Sequence, residues 1–299
     1  MAQPMIAASR LSTGWSRLRR NRTARGAVNG VLSNLGLLPF TLFCVVPFLW
    51  MVKTAFEAPG GIFQPHPQWI PVMPTLNNFK MVLTDPTAGT GRAFVNSLII
   101  STGAVLLGLT LTTLAGYALS RFRFRGKMPV VMYLLASQMI PGTLTLVVVY
   151  LIIAKAGLLN TYWGLILAHG AGAVPFSSLM LKGYFDSVPY ELEEQGMIDG
   201  CTRLQSLYKI VLPLAAPAVA AVAMFLFLGA WDDFILALTL ITDEKTRPLS
   251  TQIIYWMGFG RTEWGAAMAY SVVTVTPVMI VFILLQRYIV AGLTAGFSK

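Results

Sequence analysis

Acidic residues are concentrated in one short stretch of this sequence. Five of the twelve fall there, namely Asp186, Glu191, Glu193, Glu194 and Asp199. Clustered carboxylates support acid–base catalysis or metal binding when histidine or cysteine ligands stand nearby at a suitable spacing. The chain has two histidines and two cysteines, and no such spacing occurs among His66, His169, Cys44 and Cys201. The stretch therefore indicates a charged surface presented to water, and neither a catalytic site nor a metal site is predicted.

The composition around this stretch is that of a membrane protein. Hydrophobic residues make up 56% of the 299 positions, charged residues only 11%, and the mean hydropathy is +0.67. Soluble domains carry about 25% charged residues. The net charge of +10 does not indicate nucleic-acid binding. Lys and Arg cluster at the ends of apolar runs, where such residues orient membrane proteins and contact lipid headgroups.

Six apolar segments are long enough to cross a bilayer, which takes about 20 helical residues. They are residues 35–55, 95–119, 129–153, 162–182, 212–240 and 267–290. Residues 1–30 form a polar, basic tail, and the long apolar run that follows is not closed by a small-residue cleavage site. The sequence predicts an all-α integral membrane protein with six transmembrane helices, in a domain that covers residues 31–299.

Lys and Arg are distributed unequally between the two sides of these six segments. With the N-terminus in the cytoplasm, 15 of the 22 fall in cytoplasmic parts of the chain and seven fall outside. Positive residues accumulate on the cytoplasmic side of membrane proteins. The sequence therefore predicts that both termini and the acidic stretch lie in the cytoplasm.

Two of the segments carry features that are unusual in a bilayer. The third contains a Pro-Gly pair at residues 141 and 142, which predicts a kink or an unwound turn that lines a cavity, although helix packing alone would also explain it. The fifth runs without charge to Trp231 and then meets an acidic pair near the outer face, which is a functional hypothesis at that depth, although carboxylates there also reach water. The candidates for lining a translocation path are Gln138, Pro141, Trp231, Asp232 and Asp233.

The acidic stretch divides into two predicted helices. Asp186 and Ser187 followed by Pro189 indicate a helix start, and Gly200 is suited to the position just after a helix end. Thr202 and Gln205 have the spacing of a capping box, which predicts a second helix that continues into the fifth span. A short helix that is rigidly joined to a span can transmit a displacement to that span.

The stretch resembles the EAA loop of ABC-importer permeases, whose pattern is E-A-A-x-x-x-G followed by I-x-L-P. The matching runs are Glu194-Gln195-Gly196, Ile198-Asp199-Gly200 and Ile210-Val211-Leu212-Pro213. The resemblance implies a type I ABC-importer permease fold, in which residues 186–211 form a coupling helix that docks on an ATP-binding subunit. The docking residues would be Glu194, Gln195, Gly196, Met197, Asp199, Gly200, Leu212 and Pro213. Gln195 and Gly196 replace two alanines, and a glycine inside a helix costs about 1 kcal/mol relative to alanine.

Three further segments resemble the carbohydrate branch of these permeases, in particular the maltose-type second permease subunit. They are Thr75–Phe79, Trp231–Phe234 and Gln286–Gly296; the branch usually has Trp-Asn-Asp, so Asp232 is a departure. The resemblance implies a bacterial inner-membrane subunit that couples closure of the ATPases to alternating access for a sugar or a related small polar solute. Its partners would be a second permease in a heterodimer, two ATPase subunits that bind ATP and Mg²⁺, an extracytoplasmic solute-binding protein and the lipid bilayer. The chain itself would hold no cofactor.

Two other classes of protein remain to be compared with this interpretation. A secondary transporter with its own ion coupling normally has more spans, an internal repeat and ionisable groups inside the membrane, for which Asp232 and Asp233 are the candidates. A membrane-embedded enzyme would need a paired catalytic constellation, which the sequence does not show.

Overall fold

The computed structural model describes residues 35–66, 68–258 and 262–295. This part of the chain is helical and contains no strand, which confirms the predicted all-α class. The predicted basic tail, residues 1–30, lies outside the described residues. The helices in chain order are α1 (Leu35–Ala55), α2 (Pro59–Ile62), α3 (Asn77–Thr84), α4 (Thr90–Arg121), α5 (Lys127–Ser137), α6 (Gly142–Lys155), α7 (Tyr162–Gly172), α8 (Val174–Ser187), α9 (Tyr190–Ile198), α10 (Arg203–Leu214), α11 (Ala216–Trp231), α12 (Ile235–Leu240), α13 (Leu249–Met257) and α14 (Trp264–Ala295).

Six membrane spans are present if each bent helix pair counts as one span. Three single helices, α1, α4 and α14, are long and apolar enough to cross a bilayer. The three pairs are α5 with α6, bent by 104°, α7 with α8, bent by 46°, and α10 with α11, bent by 87°. The described residues therefore contain up to six candidate spans, the number that the sequence predicts, although the pair α10–α11 covers Arg203–Trp231 and the predicted fifth span is residues 212–240.

Each bent pair has a proline at or just after its break. These are Pro141 before α6, Pro175 in the first turn of α8 and Pro217 in the first turn of α11. Proline has no N–H to donate to the preceding turn and is accommodated best in the first turn of a helix. The break at Pro141 is the one that the sequence predicts inside a span. The break between α7 and α8 interrupts the predicted span 162–182, and the break between α10 and α11 lies at the start of the predicted fifth span.

Helix α4 is the centre of the bundle and packs along α7, α8 and α11. The packing is close because small residues of α4 face its neighbours. A Cβ atom added to Gly116 would lie 3.0 Å from the carbonyl oxygen of Ser178 and 3.2 Å from the amide nitrogen of Lys182. Small residues at such positions let helix backbones approach each other in membranes.

Two clusters of buried side chains stabilise opposite ends of α4. At its C-terminal end, Tyr117 packs with Phe185 of α8 and Leu207 of α10. At its N-terminal end, a second cluster contains Trp231, Leu249, Trp256 and Tyr270. We refer to these two ends of the bundle as the α9 end and the α13 end.

The loop between α1 and α3 is fixed by a buried carboxylate. The Glu57 side chain accepts hydrogen bonds from the amide N–H groups of Val72 (3.0 Å) and Met73 (2.7 Å) and pairs with Lys53 Nζ at 2.9 Å. The Asn78 amide donates to the carbonyl oxygens of Ala55 (2.9 Å) and Glu57 (2.8 Å). These contacts give a segment rich in turn-forming residues a defined path across the end of α1.

Candidate functional site

The acidic stretch forms α9 and the start of α10. Helix α9 ends before Gly200, whose φ of +91° reverses the chain, and the amide N–H of Cys201 donates to the carbonyl of Gly196 at 2.9 Å. The capping box at α10 is confirmed, because Thr202 N–H donates to Gln205 Oε1 (2.8 Å) and Gln205 N–H donates to Thr202 Oγ1 (3.3 Å). The two helices therefore meet at a tight corner that these three hydrogen bonds stabilise.

The predicted cap at the start of α9 is wrong. Asp186 and Ser187 belong to the last turn of α8, and α9 starts after Pro189 without a side-chain cap. The Asp186 carboxylate accepts from Lys182 Nζ and from Ser120 Oγ, both at 2.6 Å. Lys182, one turn earlier in α8, and Ser120 of α4 therefore both bind the Asp186 carboxylate, so this side chain does not cap α9.

Glu193 is the buried member of the acidic stretch. Its carboxylate forms an ion pair with the Arg121 guanidinium and accepts a hydrogen bond from the Tyr117 hydroxyl at 2.9 Å. Arg121 also donates to the carbonyl of Val188 at 2.9 Å, and its guanidinium lies over the ring of Tyr190. A buried charge is stable only when it is paired and hydrogen-bonded, and these partners belong to α4, to the start of α9 or to the turn just before α9. The network therefore ties α9 to the C-terminal end of α4.

Arg121 is one of the basic residues at the ends of apolar runs, for which the sequence predicts contact with lipid headgroups, and its position differs from that prediction. Only 7% of its side chain is exposed, because Glu193 offers a carboxylate on the protein side. One feature of the sequence could have indicated that Glu193 is buried. It lies three residues before Gly196, so the two share one face of α9, and both are buried. From its type alone, Glu193 was predicted to face water together with its acidic neighbours.

The predicted docking residues fall into two groups. Gly196 is buried, while Met197 and Leu212 are partly buried. The remaining residues are exposed: Glu194, Gln195, Asp199, Gly200 and Pro213.

The buried position of Gly196 gives a structural reason for its departure from alanine. A Cβ atom on Gly196 would collide with Cδ1 of Ile210 in α10. The glycine leaves this space to the end of the Ile210 side chain, which would have to shift to make room for an alanine.

Large apolar side chains are exposed beside these acidic groups. Ile198 is 84% exposed, and Leu204 and Tyr208 of α10 are more than half exposed. Exposed apolar side chains mixed with charges are typical of a surface that binds another protein. We call the exposed part of α9 and α10, defined by Glu194, Ile198, Asp199, Leu204 and Tyr208, the α9 surface.

A second candidate site is a cavity of about 420 Å³ between α6, α7, α11 and α12. His169 and Asp233 line it, with His169 Nε2 at 3.4 Å from Asp233 Oδ2. The sequence alone indicates no partner for His169, because Asp233 is distant along the chain and approaches only where the fold brings α7 against the end of α11. Within the described part of the chain, no group of three or more His, Cys, Asp and Glu side chains could hold a metal ion.

The other predicted path residues do not line this cavity. Trp231 is buried at the α13 end, where its ring stacks on Phe227 and its Nε1–H donates to the carbonyl of Thr274 at 3.0 Å. Asp232 is exposed outside the cavity lining. Gln138 and Pro141 are exposed at the break between α5 and α6.

Comparison with known proteins places this architecture among transporters. Residues 104–295 match the family described as binding-protein-dependent transport system inner membrane component. The trehalose/maltose transport system permease protein MalG of Thermococcus litoralis is 35% identical over 271 residues, which cover 90% of this chain and 96% of MalG. The diacetylchitobiose uptake system permease protein DasC of Streptomyces coelicolor is 34% identical over 276 residues, which cover 92% of this chain and 99% of DasC.

A solved structure shares the fold. A chain of a bacterial ABC transporter involved in the import of the acidic polysaccharide alginate superposes with a TM-score of 0.74 at 24% identity. The superposition covers 90% of this chain and 98% of that chain. The match of most of the chain to one family, the two relatives above 30% identity and the shared fold lead to one conclusion. The chain is a multi-pass membrane protein that belongs to the family of binding-protein-dependent transport system inner membrane components, the permease subunits of ABC transporters.

Proposed function

We propose that this chain is one permease of a heterodimeric ABC importer for a sugar, and that the α9 surface docks on an ATP-binding partner subunit. The observation that carries the proposal is the combination of an exposed acidic and apolar surface with a buried anchor. Glu194, Ile198 and Asp199 face outward, while Glu193 on the same helix is paired with Arg121 of α4. The relatives named for trehalose/maltose and diacetylchitobiose support a sugar as the substrate.

The anchor gives the proposed coupling a mechanical route. A displacement of α9 acts on α4 through the Glu193–Arg121 pair and on α11 through α10, to which it is joined by the corner at Gly200. Since α4 packs along α7, α8 and α11, the displacement reaches the helices around the His169–Asp233 cavity. ATP and Mg²⁺ would be bound by the partner ATPases, and this chain would convert their closure into alternating access.

The same proposal includes the orientation of the chain in the membrane and its remaining partners. The α9 end would face the cytoplasm of a bacterial cell, in agreement with the distribution of Lys and Arg, and the α13 end would face an extracytoplasmic solute-binding protein. Helix α1 exposes apolar side chains along its length, including Phe40 and Phe43. Lipid or the second permease would cover that face.

The test is to express a tagged chain with its operon partners and to measure ATP-dependent sugar uptake in vesicles. We expect an ATPase to co-purify, and we expect Glu194→Lys or Gly196→Asp to abolish uptake while membrane insertion stays normal. Glu244→Lys, which changes an exposed acidic residue at the α13 end, is the charge-matched control for the assembly with the ATPase. Uptake by the chain alone, driven by an ion gradient without ATP, would refute the importer and support the secondary-transporter alternative.

A further inference from the structure

The His169–Asp233 cavity lies where interrupted helices meet. Gly142 is the first residue of α6 after the break at Pro141, Gly172 is the last residue of α7 before its bend, and Asp233 follows the end of α11. All three line the cavity. Interrupted helices in the middle of membrane proteins are tolerated where they line a cavity, and they form the substrate sites of many transporters.

The shape of the cavity suits a small molecule. Its volume of about 420 Å³ lies within the range of ligand sites, roughly 300–1,000 Å³. Part of its wall has no side chains, because Gly142, Gly172 and Gly229 line it, and a Cβ atom on any of these three would meet nothing within 4 Å. The glycines are thus not required by packing against neighbouring atoms, and their effect is to keep the space open.

The polar groups of the cavity match the hydroxyl groups of a carbohydrate. The Asp233 carboxylate accepts hydrogen bonds, the His169 imidazole can donate or accept, and the hydroxyls of Thr143 and Thr145 lie in the same wall. Thr145 Oγ1 donates its proton to the carbonyl of Gly142 at 2.8 Å, so its lone pairs can still accept. Apolar side chains such as Leu146 complete the lining and can pack against the C–H groups of a sugar ring.

The charges of the lining select against an acidic ligand. Its described residues include a carboxylate but neither Lys nor Arg, so the net charge is zero when His169 is protonated and negative when it is neutral. A carboxylated sugar would meet Asp233 without a cation of its own to pair with, and an unpaired charge that leaves water is costly.

We propose that His169, Asp233, Thr143 and Thr145 form a contact site for an uncharged sugar during its passage through the membrane. The proposal rests on the proposed function, because it assigns the residues of this chain that the transported sugar touches. His169 and Asp233 would hold sugar hydroxyls directly, and the glycine wall would leave room for the ring.

The test uses the complete transporter in liposomes, with maltose, trehalose and diacetylchitobiose as neutral probes and glucuronic acid as the anionic probe. In a background with Cys44→Ser and Cys201→Ser, Thr145→Cys is labelled with a charged methanethiosulfonate reagent. We expect labelling that the transported neutral sugar suppresses and that glucuronic acid leaves unchanged. Thr110→Cys is the matched control, because Thr110 also bonds a backbone carbonyl but lies well inside the α4 span and outside the cavity, where we expect lipid or the second permease to cover it and to prevent labelling.

A second experiment measures sugar uptake and ATP hydrolysis in the variants Asp233→Asn and His169→Gln. We expect each to lower sugar uptake about tenfold or more, as expected for a lost hydrogen bond to a charged group. ATP hydrolysis stimulated by the solute-binding protein should stay within about twofold of wild type, because the coupling contacts are intact. The site would be refuted if Thr145→Cys were not labelled or if glucuronic acid protected it. It would also be refuted if Asp233→Asn and His169→Gln left uptake unchanged or lowered ATP hydrolysis in parallel with uptake. Absence of ATP-driven uptake in the wild-type transporter would instead refute the proposed function.

Discussion

The Glu193 carboxylate and the Arg121 guanidinium form a buried ion pair that joins α9 to the C-terminal end of α4. The exposed fractions of the two side chains are 1% and 7%. Glu193 also accepts from Tyr117, so both carboxylate oxygens have a partner. The pair explains how a short helix with an exposed surface can be held rigidly enough to transmit force to the membrane spans.

Removal of one partner of this pair should destabilise the protein strongly. Arg121→Ala leaves a buried, unpaired carboxylate, and such changes cost about 3–5 kcal/mol. Tyr117→Phe removes one hydrogen bond and should cost about 1 kcal/mol. Thermal unfolding of the purified complex measures both effects. The double variant Arg121→Met with Glu193→Leu leaves no unpaired charge and should recover most of the stability, and a double variant less stable than Arg121→Ala would contradict the ion pair as the cause.

Gly196→Ala should disturb the corner between α9 and α10, and Ile210→Val should repair it. The new methyl group would collide with Cδ1 of Ile210, the end of a flexible side chain that can shift, so the cost should lie at the lower end of the about 1–3 kcal/mol typical of overpacking, and the better helix propensity of alanine returns about 1 kcal/mol. Valine lacks Cδ1, so Gly196→Ala with Ile210→Val removes the collision.

Sugar uptake per ATP hydrolysed is the measurement for this pair of substitutions. It should fall in Gly196→Ala and return in the double variant. Equal coupling in wild type and Gly196→Ala would show that the close approach of the two helices has no part in coupling.

The loop that Glu57 holds should stay closed at neutral pH and open only in acid. Burial raises the pKa of the Glu57 carboxyl, but the hydrogen bond and charge of Lys53 and the amide N–H groups of Met73 and Val72 outweigh it and leave the pKa below its usual value. A lowered folded-state pKa stabilises the protein above the unfolded-state pKa of about 4.3, and this contribution is lost as the pH falls through the lower folded-state value.

Hydrogen exchange of the Val72 and Met73 amides reports this opening. Both should be protected between about pH 5 and pH 8 and should lose protection beyond the intrinsic change of rate as the pH falls below about 4. Glu57→Gln, which cannot ionise, should show weaker protection that does not vary with pH in this way. Protection that persists unchanged at low pH would contradict the role of the ionised carboxylate.

A larger side chain at Gly229 should block the cavity without unfolding the chain. A Cβ atom there meets nothing within 4 Å, so Gly229→Leu would project into the space beside His169 and Asp233. We expect uptake to fall while thermal stability and ATPase association are retained. Gly183→Leu is the matched control, because Gly183 is also helical and open but lies in α8, outside the cavity lining. Equal uptake by both variants and wild type would contradict a path through this cavity.

Local patterns in the sequence were sufficient for the helical class, the number of apolar segments, the break at Pro141 and the capping box at Thr202. Each depends on residues within a few positions of one another. The pairing of Glu193 with Arg121 joins residues 72 positions apart, and only the packing of α4 against α8 brings them together. The pairing of His169 with Asp233 likewise depends on how α7 and α11 pack. The misplaced cap at Asp186 has the same origin, since its partner Ser120 belongs to α4.

Photocrosslinking from the α9 surface shows whether this surface docks on the ATP-binding subunit. A benzoylphenylalanine at position 198 replaces an isoleucine that is 84% exposed, and the same amino acid at position 139 replaces a methionine that is equally exposed at the break between α5 and α6. In the assembled transporter, we expect position 198 to crosslink to the ATP-binding subunit and position 139 not to. Crosslinking of position 139 to that subunit, with none from position 198, would contradict docking through α9.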